Sequence, residues 1–443
     1  MSISRTLGID FGTSNCTAFA QDAQGRVVPI PLEGDETLLP TVVFAARGED
    51  PDHVQPRRVA ADQTFLSAAR GGVVLFGSPA LQAYIADPLS GTLVRSPKAF
   101  LGSDLPGGYV PVFTDVITRI LVHIRQRAEA FTGATYTRAV VGRPVHYNGV
   151  LGARGDQQAI SMMEAAVQAA GFAQWSFVAE PVAACLKFEQ TLERETIVLV
   201  VDVGGGTTDC AVVRARPAGA GRRSRGQDVL GFSGDRVGGT DFDQSLAWNA
   251  FMPLFGRGLS TREGRPLPHG VLADAVSTRS VPAQVRFRGA GGEIAQLLRS
   301  VNDTVPIERL ASLHREQNQH RLVRSAELAK IGLSDADSLR ADLQYVEAGL
   351  GADVTRSVYE DACRQSLDKI ESLVAEARQA AGVAPQLVFV TGGMGMSPPV
   401  RERLRRVLGA AVPVEKIGAL TSVGAGLGVV AAQLDAGHDA FGA

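Results

Sequence analysis

The sequence contains few cysteines, and they lie far apart. The four of them, Cys16, Cys185, Cys210 and Cys363, form no close pair. Structural zinc sites and disulfide frameworks use cysteines at short, regular spacings, so neither is expected here. We therefore expect four reduced thiols and a protein of the reducing cytoplasm.

Long apolar runs are missing as well. No stretch reaches the roughly 18 apolar residues that a membrane-spanning helix needs. The opening MSISRTLGID is polar at first and then passes directly into a strand pattern. A secretory signal would need a basic region followed by a longer apolar run. We expect no secretion signal and no membrane partner.

A large excess of charge of either sign is also absent. The chain has 44 Lys and Arg against 46 Asp and Glu, a formal net charge of −2. This balance gives no general attraction to nucleic acid or to anionic lipid. The five arginines within 214–225 lack interleaved aromatic residues, so we expect them on a solvated surface loop. No nucleic-acid partner is expected.

The chain alternates between short apolar runs and amphipathic stretches, which predicts an α/β fold. Strands are predicted at 6–11, 27–32, 41–45, 138–141, 196–203, 210–213 and 387–390. Apolar residues from Val116 to Phe131 recur at helical spacing and predict a buried helix, with Thr114 as its N-cap and Gly133 as its stop. The stretch 254–302 has no clear period, so no element is assigned to it.

One pattern occurs twice: an apolar strand, an aspartate, a glycine turn and a threonine. It is LGIDFGTSN at 7–15 and VVDVGGGTTD at 200–209. The distance between the two copies is far longer than the ~20 to 50 residues of a solenoid repeat. The pattern therefore predicts two similar lobes, with a cleft between them as the natural site.

Each copy places a glycine turn at the tip of a strand. Backbone N–H groups at such a tip can cradle phosphate oxygens only where no side chain blocks the approach, and Gly12 and Gly204–Gly206 meet that condition. Asp10 and Asp202 would lie beside the phosphates, where a carboxylate is repelled unless it serves a cation. We therefore expect Mg²⁺, held largely through water. Further donors to the phosphate oxygens are predicted at Thr13, Ser14, Asn15, Thr207 and Thr208.

A third glycine turn, Thr391-Gly392-Gly393, follows an apolar strand and precedes a helix that should begin near Ser397. It would add backbone donors on the nucleoside side of a nucleotide. The pattern Gly-x-x-x-x-Gly-Lys-Ser/Thr is absent from the chain, which excludes a P-loop.

Six segments, in this order, resemble the ATPase domain of the seventy-kilodalton heat-shock chaperones, the DnaK-like proteins: GIDFGTSN, AEPVAA, VVDVGGGTTD, GGTDFD, SAELAKIGLS and VTGGMGMSP. The resemblance covers nearly the whole chain and is closest to the short, YegD-like branch. It implies an α/β, actin-like ATPase fold with duplicated, ribonuclease-H-like lobes and a nucleotide cleft between them. The implied first lobe is 1–192, with an outer subdomain at about 39–109. The implied second lobe is 193–417, with an outer subdomain at about 235–351. A C-terminal helix within 418–443 would return to the first lobe, and no peptide-binding domain is expected.

The resemblance also implies roles for single residues. Lys98, in SPKAFLG, would steady the γ-phosphate and the attacking water. Glu180 would orient that water together with Thr207. Pro181 favours an extended Glu180, although the local sequence equally allows a helix start at Glu180 with Pro181 in its first turn. Phosphate and Mg²⁺ binding is implied for Asp10, Thr13, Ser14, Asn15, Asp202, Gly204, Gly205, Gly206, Thr207 and Asp209, with Asp10, Asp202 and Asp209 serving the ion. The rest of the ATP site would be formed by Gly12, Gly238, Gly239, Gly392, Gly393, Glu327, Lys330 and Ser334.

Two departures from the family pattern accompany the resemblance. Glu327, Lys330 and Ser334 are spaced to share one helical face that clasps the ribose and adenine. The family often places a basic residue on the base just after that lysine, where this chain has Ile331. The segment between Asp243 and Glu327 is also longer than in the full-length chaperones.

The function expected from these residues is that of a slow, Mg-dependent ATPase and conformational switch. ATP and ADP are the expected ligands, and an unidentified client or co-chaperone is the expected protein partner. Two alternatives remain open. The same frame could carry an actin-like small-molecule kinase, although no motif for an acceptor base or a sugar pocket is found. It could also be a nucleotide-gated binding or filament-forming protein without significant catalysis.

Overall fold

The structure is a computed structural model that describes residues 4–46, 73–105, 108–147, 151–189, 192–217, 228–409, 412–416 and 421–437. The strands in these ranges are β1 (Ser4–Phe11), β2 (Asn15–Gln21), β3 (Val27–Pro29), β4 (Leu39–Pro40), β5 (Val42–Ala46), β6 (Val74–Phe76), β7 (Gly91–Arg95), β8 (Thr135–Arg143), β9 (Gln174–Ala179), β10 (Thr196–Val203), β11 (Thr208–Ala215), β12 (Val229–Asp235), β13 (Ser338–Asp342), β14 (Gly351–Thr355), β15 (Leu387–Thr391) and β16 (Val414–Lys416).

Helices alternate with these strands. The α-helices in the same ranges are α1 (Gly77–Ala86), α2 (Tyr109–Thr132), α3 (Ala153–Ala169), α4 (Glu180–Glu189), α5 (Gly239–Leu246), α6 (Gly270–Val276), α7 (Val281–Gly289), α8 (Gly291–Ser300), α9 (Val305–Arg315), α10 (Gln319–Gly332), α11 (Arg356–Ala362), α12 (Arg364–Ala381), α13 (Pro398–Leu408) and α14 (Ser422–Asp435). Short 3₁₀ turns occupy Pro97–Phe100, Met252–Phe255 and Gly393–Met396, and a π-helical turn occupies Ala247–Phe251.

Two large sheets share one topology. Their strand orders are β3-β2-β1-β8-β9 and β12-β11-β10-β15-β16, and β4 also pairs with β2. In both, the first three strands pair antiparallel and the last three pair parallel. Smaller sheets, β6-β5-β7 and β13-β14, lie outside them. The predicted α/β class is therefore confirmed.

The centre of each large sheet is apolar because helices cover it. Most residues of β10 are buried, as expected for a strand covered on both faces. A cluster of buried apolar side chains joins the two sheets, and it includes Val140 of the first, Val200 of the second and Leu427 of α14. Helix α14 thus closes the core at the base of the cleft. Its last residue, Asp435, accepts hydrogen bonds from the backbone N–H (3.0 Å) and hydroxyl (2.6 Å) of Thr6 in β1.

Most predicted elements lie where the sequence indicated. All seven predicted strands are present, and 196–203 has the predicted bounds, whereas the strand from Val27 already ends at Pro29. The predicted N-cap at Thr114 is wrong: α2 begins at Tyr109, and the Thr114 hydroxyl donates to the carbonyl of Val110 within the helix. The stop at Gly133 is confirmed, with φ of 68°.

The structure describes part of the two segments to which the sequence assigned no helix or strand. The unassigned stretch 254–302 contains α6, α7 and α8. Of the arginine-rich segment 214–225, residues 218–225 lie outside the described residues, so the predicted loop there is not tested. Among the helices that the structure describes, none is both long enough and apolar enough to cross a membrane.

The glycines of α14 permit backbone-to-backbone packing. A Cβ at Gly426 would lie 1.7 Å from the carbonyl oxygen of Ala183 in α4, and one at Gly8 would lie 2.6 Å from the backbone nitrogen of Gly428. Real Cβ atoms do not approach that closely, so any side chain at Gly426 must separate α14 from α4.

We predict that Gly426→Ala destabilises the protein by about 1–3 kcal/mol, because its methyl group overpacks this contact. An alanine would ordinarily stabilise a helix relative to glycine by roughly 0.5–1 kcal/mol. Gly292→Ala in α8 is the matched control, since nothing lies within 4 Å of its Cβ position. Urea unfolding of both variants measures the effect. Equal shifts in the same direction would contradict this account of α14.

Candidate functional site

The two aspartate turns are tight hairpins at the tips of paired strands. In the first, Asp10 pairs with Thr17 across β1 and β2. In the second, Asp202 pairs with Asp209 across β10 and β11, and the N–H of Gly204 donates to the carbonyl of Thr207 at 2.9 Å. The predicted geometry of a strand, an aspartate and a glycine turn is therefore present in both copies.

These two turns face and touch each other. A Cβ at Gly205 would lie 1.9 Å from the Ser14 hydroxyl oxygen, and one at Gly206 would lie 2.7 Å from a methyl carbon of Thr13. Only glycine fits at such distances without moving a neighbour. The backbone of the second turn is therefore brought directly against the side chains of the first.

Two more glycine turns surround the second aspartate turn. Gly392 has φ of 78°, and a Cβ there would lie 2.5 Å from a carboxylate oxygen of Asp202. On another side, the N–H of Gly239 donates to the carbonyl of Gly204 at 2.9 Å. A Cβ at Gly238 would lie 2.7 Å from the nitrogen of Gly206. The glycine turns thus form one continuous backbone surface.

A cleft of about 590 Å³ opens onto this surface. The predicted site residues that line it are Asp10, Gly12, Thr13, Ser14, Asn15, Lys98, Glu180, Asp202, Gly204, Gly205, Thr207, Gly239, Glu327, Lys330, Ser334, Gly392 and Gly393. Gly206 and Gly238 lie behind the turns, and Asp209 is buried where β11 begins, accepting the N–H of Val145 at 2.9 Å. The structure therefore brings most of the predicted residues to one cavity.

Thr391, which belongs to the predicted third glycine turn, also lines the cleft. Other lining residues have no counterpart among the predicted site residues: Ile331, Asp335, Met394, Met396, Ser397, Pro398, Arg401, Ser422 and Val423. Met396 lies in the segment VTGGMGMSP, so its position in the chain was a usable signal. Ser422 could not be found from the sequence, because its hydroxyl reaches the site only through the fold, 2.6 Å from the hydroxyl of Thr391.

Lys98 and Glu180 form a buried ion pair in the floor of the cleft. Each residue is 6% exposed. Lys98 lies in the 3₁₀ turn Pro97–Phe100, which Ser96 enters with a left-handed φ of 54°. Burial alone would lower the pKa of Lys98, but the carboxylates of Glu180 and Asp10 raise it above its ordinary value. The lysine is therefore charged at every physiological pH.

The predicted extended conformation of Glu180 is wrong. Glu180 is the first residue of α4, and Pro181 takes the next position. Proline is tolerated in the first helical turn, where its missing N–H costs no intrahelical hydrogen bond. The helix start therefore directs this carboxylate toward Lys98.

Two buried aspartates, Asp202 and Asp209, and the partly buried Asp10 lie close to this pair. Burial and the nearby carboxylates of Glu180 and Asp209 together raise the pKa of Asp202 to about 8, although Lys98 acts in the opposite direction. Burial likewise raises the pKa of Asp209 to about 7 and raises that of Asp10. The ammonium group of Lys98 thus lies among four carboxyl groups, those of Glu180 and the three aspartates. A divalent cation would reduce the repulsion among these carboxyl groups.

The donor set fits a hydrated Mg²⁺. Carboxylate oxygens are the ligands that Mg²⁺ prefers, and the ion usually keeps several of its waters. Within the described ranges, no group of three or more His, Cys, Asp or Glu side chains is arranged to hold an ion directly. These aspartates would therefore act on the ion largely through its water shell.

The far end of the cleft is held by ion pairs of α10. Lys330 pairs with Asp243 at 2.7 Å and donates to the carbonyl of Gly239 at 3.3 Å. Ser334 lies past the end of α10 at Gly332, so the predicted single helical face is broken there, although Ser334 still lines the cleft. Ile331 and Met396, both about half exposed, also line it.

The outer part of the first half of the chain reaches across the cleft to α10. Arg95 of β7 pairs with Glu327 at 2.9 Å, and the hydroxyl of Tyr84 donates to the carbonyl of Gln317. Burial would raise the pKa of Glu327, but Arg95 and Arg324 hold it well below its usual range. The Tyr84 ring also meets His320 edge-on, with centroids 5.7 Å apart. These contacts, which we call the roof, join the two outer parts beside the cleft, and Glu327 lines it.

The raised pKa values of these aspartates predict how the stability of the metal-free and nucleotide-free protein changes with pH. Their pKa values in the folded state exceed the ~3.9 of an unfolded aspartate, so the folded state binds more protons between about pH 4 and pH 8. The stability from these groups is complete below pH 4 and is lost as the pH rises through their folded values. We expect the thermal midpoint to fall between about pH 5 and pH 8 and to level off above pH 8.

Asp202→Asn should flatten that decline because it removes one buried carboxyl group. Asp353→Asn is the control, since Asp353 is an exposed carboxylate paired with Arg340 at 3.2 Å. Differential scanning fluorimetry at constant ionic strength measures the profile. A wild-type midpoint that does not fall over this range would contradict the arrangement of buried carboxyl groups.

Comparison with known protein families gives a match. Residues 6–256 match the model of the family described as Hsp70 protein. The match covers more than half of the 443 residues and contains both aspartate turns, Lys98 and Glu180. The chain belongs to the Hsp70 protein family, whose members are nucleotide-binding, chaperone-like ATPases with an actin-like fold.

Proposed function

We propose that the protein binds Mg-ATP in the cleft, hydrolyses it slowly and changes conformation with the nucleotide it holds. The observation that carries the proposal is the buried Lys98–Glu180 pair, set among three aspartates, two of them buried, and beside two facing glycine turns. Phosphoryl transfer needs mainly positioning and charge stabilisation, and this site supplies backbone donors, a fixed cation and buried carboxylates.

The chain's own groups divide the work as follows. Lys98 holds an oxygen of the γ-phosphate, and a compact ammonium suits that task better than a planar guanidinium. Glu180, adjacent to it, orients the attacking water together with Thr207, which hydrogen-bonds to Asp209. Asp10, Asp202 and Asp209 hold the water shell of Mg²⁺, which neutralises charge on the phosphates when bound.

The remaining residues bind the nucleotide. The phosphates lie against Gly12, Thr13, Ser14 and Asn15 on one side and Gly204–Gly206 on the other. The ribose and base lie toward Gly239, Gly392, Gly393, Glu327, Lys330 and Ser334, which line the same cleft. Ile331 gives an apolar contact to the base where family members often have a cation. Adenine stacking therefore loses an electrostatic contribution here.

The same-order sheets support two duplicated lobes, at 1–192 and 193–417, with α14 returning to the first. The outer subdomains are at about 39–109 and 235–351, so the roof contacts join one to the other.

On motif similarity we assign the chain to the short YegD-like branch. We propose a cytoplasmic site of action, because all four cysteines are buried and none forms a disulfide with another. An unidentified client or co-chaperone is the partner.

Lys98→Ala should slow single-turnover ATP hydrolysis by about 100-fold or more, because it removes the charge that faces the γ-phosphate. Glu180→Gln keeps the shape of the pair and should also slow turnover. Lys369→Ala is the control: Lys369 pairs with Asp235 at 2.8 Å on the surface, away from the cleft. Quenched-flow with radiolabelled ATP and saturating Mg²⁺ measures the rate.

Three results would change this assignment. Unchanged hydrolysis in Lys98→Ala would reject the role of Lys98. ATP binding without hydrolysis in the wild type would instead favour a nucleotide-gated binding protein. Turnover that depends strongly on one sugar would favour a small-molecule kinase.

The roof should control how fast nucleotide leaves. Tyr84→Phe and Arg95→Ala each remove a hydrogen bond across the cleft, worth roughly 0.5–3 kcal/mol, so release of ADP should accelerate about 3- to 100-fold. Stopped-flow release of a fluorescent ADP analogue measures this. Arg26→Ala, which breaks the exposed pair with Asp22, is the control and should leave release unchanged. Release rates equal to wild type in both roof variants would show that the roof does not limit exit.

A further inference from the structure

Arg236 connects the two halves of the chain at the phosphate end of the cleft. It follows β12 and precedes the glycine turn at Gly238. Its guanidinium crosses to the other half, where it donates to the hydroxyl of Ser103 at 2.9 Å and to the carbonyl of Ala99. Ala99 is next to Lys98 in the same 3₁₀ turn. Arg236 therefore binds, through two hydrogen bonds, the turn that carries Lys98 and the residues just after it.

Arg279 grips the opposing glycine turn. It lies between α6 and α7, and its guanidinium donates to the carbonyl of Gly206 at 3.1 Å. It also pairs with Asp241, whose carboxylate accepts the N–H of Gly238 at 2.8 Å. Arg279 thus holds the second aspartate turn and the glycine turn beside it at the same time.

The two arginines are neighbours that share one counter-charge. Burial and the charge of Arg279 together lower the pKa of Arg236 to about 10, and Asp241 only partly offsets this. The geometric link between them runs through Asp241, which pairs with Arg279 and accepts the N–H of Gly238, two residues after Arg236. A shift of the Gly206 carbonyl would displace Arg279 and Asp241, and with them the backbone that carries Arg236.

We propose that Arg236 and Arg279 are positioning residues that couple the glycine turn Gly204–Gly206 to the turn bearing Lys98. When the glycine turn holds phosphate, the pair keeps Lys98 in place; when the turn relaxes, the pair releases the lysine's turn. Arg279 lies outside the family match at 6–256, in the segment that lacked an assignment by sequence. This inference rests on the proposed ATP site.

The first test is a double-mutant cycle on hydrolysis. Arg236→Ala and Arg279→Ala should each slow single-turnover hydrolysis about tenfold, the effect of losing one charged hydrogen-bonding group. The dissociation constant for ADP should change by less than about threefold. The double variant should be little slower than either single variant, because both break the same link. Arg236→Lys retains the charge and should recover part of the rate.

Arg378→Ala is the matched control. Arg378 also donates its guanidinium to a backbone carbonyl, that of Val407 at 3.0 Å, but away from the cleft. Its hydrolysis should equal that of the wild type. Multiplying effects in the double variant, or ADP affinity that falls as much as the rate, would overturn the coupling and leave two separate structural contacts.

The second test does not require hydrolysis, so it separates this inference from the proposed function. Amide hydrogen exchange over 97–103 reports on the turn bearing Lys98, whose N–H groups at Ala99 and Ser103 donate within it. A non-hydrolysable ATP analogue should protect these amides more than ADP does in the wild type. That difference should vanish in Arg279→Ala, because this variant loses the hydrogen bond to the carbonyl of Gly206 (3.1 Å). It should persist in Arg378→Ala. A difference that persists in Arg279→Ala would overturn the proposal even if the protein is an ATPase.

Discussion

A buried excess of negative charge around one lysine governs this structure. Asp10, Asp202, Asp209 and Glu180 converge on Lys98 in a space from which water is largely removed. A single ammonium cannot compensate for four carboxylates, so the folded protein keeps part of this charge neutral by protonation. A divalent cation brought in with a polyphosphate would supply the missing positive charge. Without its ligand the site therefore lacks positive charge to balance its carboxylates, which come from both halves of the chain.

Backbone contact accounts for the rest of the architecture. The glycines of the second aspartate turn lie against the side chains of Thr13 and Ser14, and α14 meets β1 and α4 through main-chain atoms. Contacts made at a glycine backbone have little freedom to adjust, so they fix the spacing of these elements more tightly than ordinary side-chain packing would. Motion in such a frame is expected in the outer parts, which meet through side chains such as Tyr84 and Arg95.

The sequence predicted the parts of this arrangement that are local. Each aspartate turn lies within ten residues of chain, so the strand, the glycines and the threonine could be read together. The strand at 196–203 was found with its bounds because continuous apolar character is typical of a covered strand. The N-cap of α2 was missed because Pro111 is compatible with a first helical turn, which let the helix begin upstream of Thr114. The Arg236–Ala99 contact and the Thr391–Ser422 pair join distant segments, and nothing local in the sequence indicates either of them.

The contact between Thr6 and Asp435 spans 429 positions of the chain. Strand β1 lies at the centre of the first sheet, and α14 is one of its coverings. During synthesis, β1 leaves the ribosome long before α14 exists, so one face of that sheet stays uncovered while most of the protein is made. Domains that fold in order of emergence avoid such exposure. In this protein the sheet of the first half is covered only when α14, the last helix, has been made. Until then the exposed apolar face of that sheet leaves the nascent chain open to aggregation.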